Sequence, residues 1–156
     1  MNKTLSACLL SLAAWAPLSA MAAEPLVRFD GGIGEMPLSS PNTPNTVFGV
    51  LPGGQPWVIS GLSADVSTDG QISVDGRGLL LAGGNGIGTN GGQSVRARLI
   101  CGGLAFDSDT VPLDERGDFR INSALMPFPP VPCTSPALLI LSAANGRWFA
   151  AGIPKR

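Results

Sequence analysis

The chain contains no histidine and no tyrosine. The missing histidine removes Ser-His-Asp triads, Cys-His dyads and histidine-ligated metals from consideration. Lysine is nearly missing too: Lys3 and Lys155 stand at the two ends, so a Ser–Lys dyad would have to draw on the chain terminus. Charged residues make up only 13% of the chain. They form no basic patch of the kind that nucleic acid or another polyanion requires, so no nucleic-acid partner is expected. No apolar run reaches the roughly 20 residues that cross a bilayer, so no membrane span is expected either.

What is present begins with a targeting pattern. Lys3 supplies a positive start, Leu5 to Trp15 an apolar stretch, and Pro17 a break. Ala20-Met21-Ala22 then gives the small-x-small cleavage pattern. Residues 1–22 read as a signal peptide cut after Ala22, and residues 23–156 as one exported domain, periplasmic or secreted. Leu5-Ser6-Ala7-Cys8 matches a lipobox in residue type. A lipobox cysteine, however, follows its apolar stretch, and here most of that stretch comes after Cys8. Cleavage removes Lys3 and Cys8, leaving a mildly acidic domain with two cysteines, Cys101 and Cys133. An even pair in an oxidising compartment reads as a disulfide. It would close a loop of about 33 residues, worth about 3–4 kcal/mol by chain entropy. A redox-active pair would normally be spaced Cys-x-x-Cys, and these two are not.

Twenty-one glycines and fourteen prolines interrupt short apolar runs. A first strand is expected at Leu26–Phe29, ended by Asp30 to Gly34, and Pro-rich Glu35 to Thr46 reads as a loop. Val47–Leu51 is a possible short strand. Trp57 to Val66 reads as one strand with Leu62, Ala64 and Val66 on one face. The turn Ser67-Thr68-Asp69-Gly70 returns it through Ile72 and Val74. Ser94 to Cys101 alternates, with Val95, Ala97, Leu99 and Cys101 inward and Ser94, Arg96 and Arg98 outward. Leu104–Phe106, Val111–Leu113 and Asp118–Asn122 read as further strands, the first two parted by Asp107-Ser108-Asp109. Leu138–Leu141 reads as a strand buried on both faces, and Asn145-Gly146 as the hairpin before the last strand, Arg147–Ile153. The fold class is all-β, an antiparallel β-sandwich of immunoglobulin-like kind with one disulfide; a small β-barrel is the alternative.

The segments VRARLICGG, VPLDERGDFRIN, PCTSPALLIL and GRWFAAGI follow in an order that resembles small secreted bacterial β-sandwich proteins of unassigned function. The resemblance covers the C-terminal half. It implies a small sandwich with one disulfide and brings neither an activity nor catalytic residues.

Gly86-Ile87-Gly88-Thr89-Asn90-Gly91 spells G-x-G-x-x-G after an apolar run. A dinucleotide site needs a helix to begin there, so that its N-terminus meets pyrophosphate. Here a strand follows, and no cofactor is expected. Asn85, Gly86, Ile87, Gly88, Thr89 and Asn90 instead form a candidate recognition loop on a rigid scaffold. Arg96 and Arg98 form a small basic stripe that would face an acidic partner or pair across strands with Asp or Glu, for instance Asp65, Asp75 or Asp118. Asp107, Asp109, Asp114, Glu115 and Asp118 have oxygens suited to calcium, but they do not match the calcium-loop spacing and read as turn chemistry, with no metal expected. Trp57 and Trp148 read as core rather than as a sugar platform. The expected function is a non-enzymatic binding or interaction module for a protein or glycan at the envelope or outside the cell. Alternatives are a hydrolase inhibitor, a carboxylate-dependent glycan hydrolase and an envelope structural protein.

Overall fold

Short apolar runs parted by Gly and Pro build strands and turns, with no helix among the described residues. The computed structural model describes residues 23–39 and 42–155; the signal segment expected over residues 1–22 lies outside them. In chain order the strands are β1 (Pro25–Gly34), β2 (Leu38–Ser39), β3 (Thr43–Pro44), β4 (Trp57–Val58), β5 (Gly61–Ser67) and β6 (Gln71–Arg77). They continue with β7 (Leu80–Leu81), β8 (Ser94–Cys101), β9 (Leu104–Pro112), β10 (Phe119–Ala124), β11 (Ala137–Ser142) and β12 (Trp148–Pro154). Eight of them form one sheet in the order β10-β6-β5-β1-β12-β11-β8-β9, with every pair antiparallel. The sheet curls until its two edge strands approach each other. There Asp107 bridges to Met126, and the Asp109 N–H donates to Ser123 Oγ at 3.2 Å. The all-β antiparallel class stands as read. Of its two arrangements, the hydrogen bonding follows the barrel-like one, a single sheet nearly closed on itself.

Period-two alternation decides the interior. Leu62, Ala64 and Val66 on β5, Ile72 and Val74 on β6, and Val95, Ala97 and Leu99 on β8 meet Phe29, Phe119, Ile121, Leu138 and Ile140 in one core. β11 is buried on both faces, as its continuous aliphatic run implies. Leu139 and Leu141 point the other way and join Ile100, Trp148 and Val50 in a second cluster outside the sheet. The turn Val47–Val50, closed by hydrogen bonds in both directions, lies on that cluster. Cys101 and Cys133 form the expected disulfide, with Cα atoms 4.9 Å apart. It ties the end of β8 to the Pro-rich segment 126–136.

Four expectations are corrected. β1 does not stop at Asp30 but continues to Gly34, because a bulge between Phe29 and Gly32, with Gly31 at φ 95°, keeps it in register with β12. Gly34 then permits the crossing of β4: a Cβ there would stand 2.8 Å from the Val58 Cα. β9 runs unbroken through Asp107-Ser108-Asp109, since a bulge lets buried Ser108 Oγ accept the Ala97 N–H at 2.9 Å. Trp57 to Val66 is two strands: β4 leaves the main sheet to pair with β7, and β5 starts at Gly61. Val47–Leu51 is the turn just described rather than a strand.

Candidate functional site

Glu35 is the only charged residue between Asp30 and Asp65, and it is completely buried. Backbone pairing fixes it there. Its N–H donates to the Phe149 carbonyl on β12 at 3.0 Å, and its carbonyl accepts the Trp57 N–H on β4 at 2.9 Å. The side chain is thereby carried beneath the turn Pro52-Gly53-Gly54. Neither carboxyl oxygen has a hydrogen-bond partner among the described residues. Buried polar groups are nearly always paired, so an orphaned carboxyl calls for a reason. Burial pushes its pKa up to about 7, although the Arg147 guanidinium pulls the other way.

Three groups converge on Gly53. A Cβ at that position would lie 3.0 Å from Glu35 Oε2, 3.2 Å from Trp57 Nε1 and 3.3 Å from Phe149 Cδ1. Trp57 and Phe149 are stacked, with centroids 4.1 Å apart and planes 21° from parallel, which holds both rings in place. Trp148 Nε1 donates to the Asn45 carbonyl at 2.8 Å. Trp57 Nε1 has no such partner among the described residues. Above Gly53 lies a cavity of about 270 Å³, walled by Gln55, Trp57, Leu81, Gln93, Asn145, Arg147 and Phe149 with Gly53, Gly54 and Gly91. The Asn145-Gly146 turn sets Arg147, whose Nη1 donates to the Pro52 carbonyl at 2.9 Å. Among the described residues no acid lines this cavity; Glu35 lies behind Gly53, without accessible surface.

The candidate recognition loop stands outside this cavity wall. Asn85 to Asn90 do not line the cavity; Gly91 and Gln93, just beyond them, do. The loop is pinned to its stem by Leu81 N–H to Thr89 O at 2.9 Å and Gly88 N–H to Leu81 O at 2.8 Å. Asn90 Nδ2 donates to Asp114 O at 2.8 Å. Ile87 remains exposed.

The basic stripe pairs across strands, and the acid is Asp107. Arg98 holds Asp107 on β9 with both oxygens, at 2.6 and 2.7 Å, and Arg96 Nε stands 3.4 Å from the same carboxylate. The bidentate bond raises the Arg98 pKa above its ordinary range. Asp65 pairs with Arg28, Asp75 with Arg77 and Arg120, and Asp118 with Arg116. Asp114 is held below the usual carboxylate range by the Asp118 and Arg116 N–H groups it accepts. Among the described residues no three His, Cys, Asp or Glu side chains gather as metal ligands. A larger groove of about 480 Å³ over β6 and β10 is lined by these paired charges. The Gly53 cavity is the better candidate because its one charged side chain stands among neutral amides and an aromatic stack, with the unpaired Glu35 carboxyl packed behind Gly53. Trp57 and Trp148 are both core residues, one in each cluster.

The chain matches no family model, no curated protein and no solved structure. Glu35 opens the Pro-rich segment that its composition marks as a loop. The available signal was its isolation: a single charge within a long uncharged stretch, directly after a glycine-rich strand end.

Proposed function

We propose that this protein is an exported, non-enzymatic binding module that holds a small polar ligand, or one unit of a polymer, in the cavity above Gly53. The observation that carries the reading is a cavity whose wall gathers Gln55, Trp57, Gln93, Asn145 and Arg147, with Glu35, a fully buried carboxyl without a partner among the described residues, packed behind its Gly53 wall. Perturbed, desolvated groups beside a concave surface mark functional sites. Catalysis by two carboxylates would need a second acid near Glu35, and the wall supplies none. The disulfide and the apolar N-terminal stretch support export. No helix among the described residues is long and apolar enough to cross a membrane. The partner class is a glycan or protein at the envelope or outside.

The test uses Gly54. It is exposed, and a Cβ there meets nothing within 4 Å, so Gly54→Trp folds while covering the cavity mouth. Thermal shift assays against monosaccharides, amino acids and nucleosides are expected to find a ligand that raises the wild-type Tm and leaves Gly54→Trp unmoved. Equal shifts in both proteins would contradict the assignment of the site.

A further inference from the structure

We propose that a second groove, beside the Asn145-Gly146 turn, binds an oxyanion, free or borne by a sugar acid, held by Arg98 and Arg147 with Arg96 at its rim. The groove shares Asn145 and Arg147 with the cavity above Gly53 but is otherwise walled by different residues, and the inference does not rest on the cavity reading. Alternation along β8 puts Arg96 and Arg98 on the outer face of the sheet. Leu141 on β11 pairs with Arg96 on one side and with Trp148 on the other. The chain therefore returns Arg147, next to Trp148, two strands from Arg96, about 10 Å away at the usual strand spacing. Between the Val47–Val50 turn, the Asn145-Gly146 turn and Arg98 lies a groove of about 430 Å³. Arg96 is not in its wall, but its Nη2 stands at the Gly146 edge, 3.6 Å from where a Gly146 Cβ would be.

The charges here do not balance. Arg98 takes both oxygens of Asp107. Arg96 Nε stands 3.4 Å from the same carboxylate and makes no hydrogen bond among the described residues. Arg147 spends Nη1 on the neutral Pro52 carbonyl and forms no ion pair among the described residues. Glu35 feels the Arg147 charge but has no accessible surface, so it cannot complete the site. Three guanidiniums thus share one carboxylate. The Arg96 and Arg98 side chains are 25% and 24% exposed, open enough to be reached and dry enough for a charge-assisted hydrogen bond to count. Asn145 adds a neutral donor: its Oδ1 accepts the Arg147 N–H at 3.1 Å, which leaves Nδ2 to bond elsewhere. No acid lines the groove among the described residues. Its free side-chain groups are therefore donors, and a carboxylate, sulfate or phosphate supplies both the acceptors and the missing negative charge. A cation would be repelled, and a neutral hydroxyl would leave the charge uncompensated.

The experiment is a ¹H–¹⁵N NMR titration of the full chain with sodium sulfate and with sodium glucuronate. Sodium chloride at matched ionic strength and glucose serve as comparison probes, and the Gly146 backbone N–H is the reporter. At least one oxyanion is expected to move that resonance saturably, while chloride and glucose do not. Tighter binding of glucuronate supports an oxyanion borne by a sugar acid; equal or tighter binding of sulfate supports a free one. Arg147→Gln, at an exposed position, is expected to weaken binding about tenfold. Should that variant disturb the hairpin, Arg96→Gln leaves the Arg98–Asp107 bond in place and is expected to weaken binding about threefold. Arg116→Gln, in the groove of paired charges over β6 and β10, is expected to change nothing. Oxyanions that move Gly146 no more than chloride does overturn the inference, as does binding that survives both Arg147→Gln and Arg96→Gln or that Arg116→Gln weakens equally. The two readings separate at Gly54→Trp, which covers the Gly53 cavity and is expected to leave oxyanion binding unchanged. Binding lost in Gly54→Trp places the anion in that cavity, which overturns the groove assignment and leaves the binding function intact.

Discussion

Glu35 and Trp57 are joined through the backbone, the Trp57 N–H donating to the Glu35 carbonyl at 2.9 Å, while their side chains converge on Gly53 without bonding to each other. One hydrogen bond of a strand crossing therefore positions both side chains against Gly53. The arrangement depends on Gly34, which admits β4, and on the Phe149 carbonyl, which holds Glu35 from the opposite side.

Stability should fall as pH rises toward neutrality. Glu35 keeps its proton in the folded protein up to about 7, whereas the unfolded chain releases it near 4.5. Between those values the folded state binds more protons than the unfolded one, so raising the pH favours unfolding. The loss is on the order of 2 kcal/mol once solvent screening is allowed for, and it levels off above pH 7. With no histidine in the chain, no other side chain ordinarily titrates in this window. Urea denaturation from pH 5 to 7.5 is expected to show the decline, and Glu35→Gln is expected to flatten it. A wild-type profile flat across the window would contradict the burial of the carboxyl.

The disulfide should be a major stabilising element. Cys101 and Cys133 are 32 residues apart, and opening a loop of that size costs about 3–4 kcal/mol of stability. Cys101→Ser/Cys133→Ser is expected to lower the urea midpoint accordingly. A loss below about 1 kcal/mol would indicate that the Pro-rich segment 126–136 is held by other contacts.

Asp107 serves two arginines. Asp107→Ala leaves Arg98 and Arg96 half-buried beside an apolar methyl group and is expected to cost about 1–3 kcal/mol. Arg116→Ala, on an exposed turn, is expected to change stability by less than about 0.5 kcal/mol. Equal effects of the two substitutions in urea titrations would refute the distinction.

Leu139 lies on the outer face of the sheet yet is buried. Leu139→Ala is therefore expected to cost about 2–5 kcal/mol, the same range as expected for Leu138→Ala on the inner face. A cost below about 1 kcal/mol in thermal melts would mean that the Val47–Val50 turn does not seal the second cluster.

Much of the fold was legible because alternation and turn chemistry are local. Leu62-Ser63-Ala64-Asp65-Val66 declares its inner face by itself, and Asp69-Gly70 and Asn145-Gly146 declare their turns. Bulges were not legible. The one at Gly31 carries β1 past five residues that read as a break, and the one at Ser108 depends on a bond to Ala97 across the sheet. The basic stripe was legible, but its partner Asp107 was not, because that register passes through the Ser108 bulge. The Gly/Asn loop drew attention by composition, whereas the site itself assembles from residues 35, 53, 57 and 149 of separate segments. Only the isolation of Glu35 in an uncharged stretch pointed to it.

The most direct measurement is the titration of the glutamate carboxyl carbons by ¹³C NMR. The chain contains three glutamates, Glu24, Glu35 and Glu115. Glu35 is expected to titrate near 7. Its midpoint should shift when a ligand fills the cavity in the wild type and stay fixed in Gly54→Trp. Three carboxyls titrating together in the ordinary range would contradict a desolvated Glu35, and with it the site proposed at Gly53.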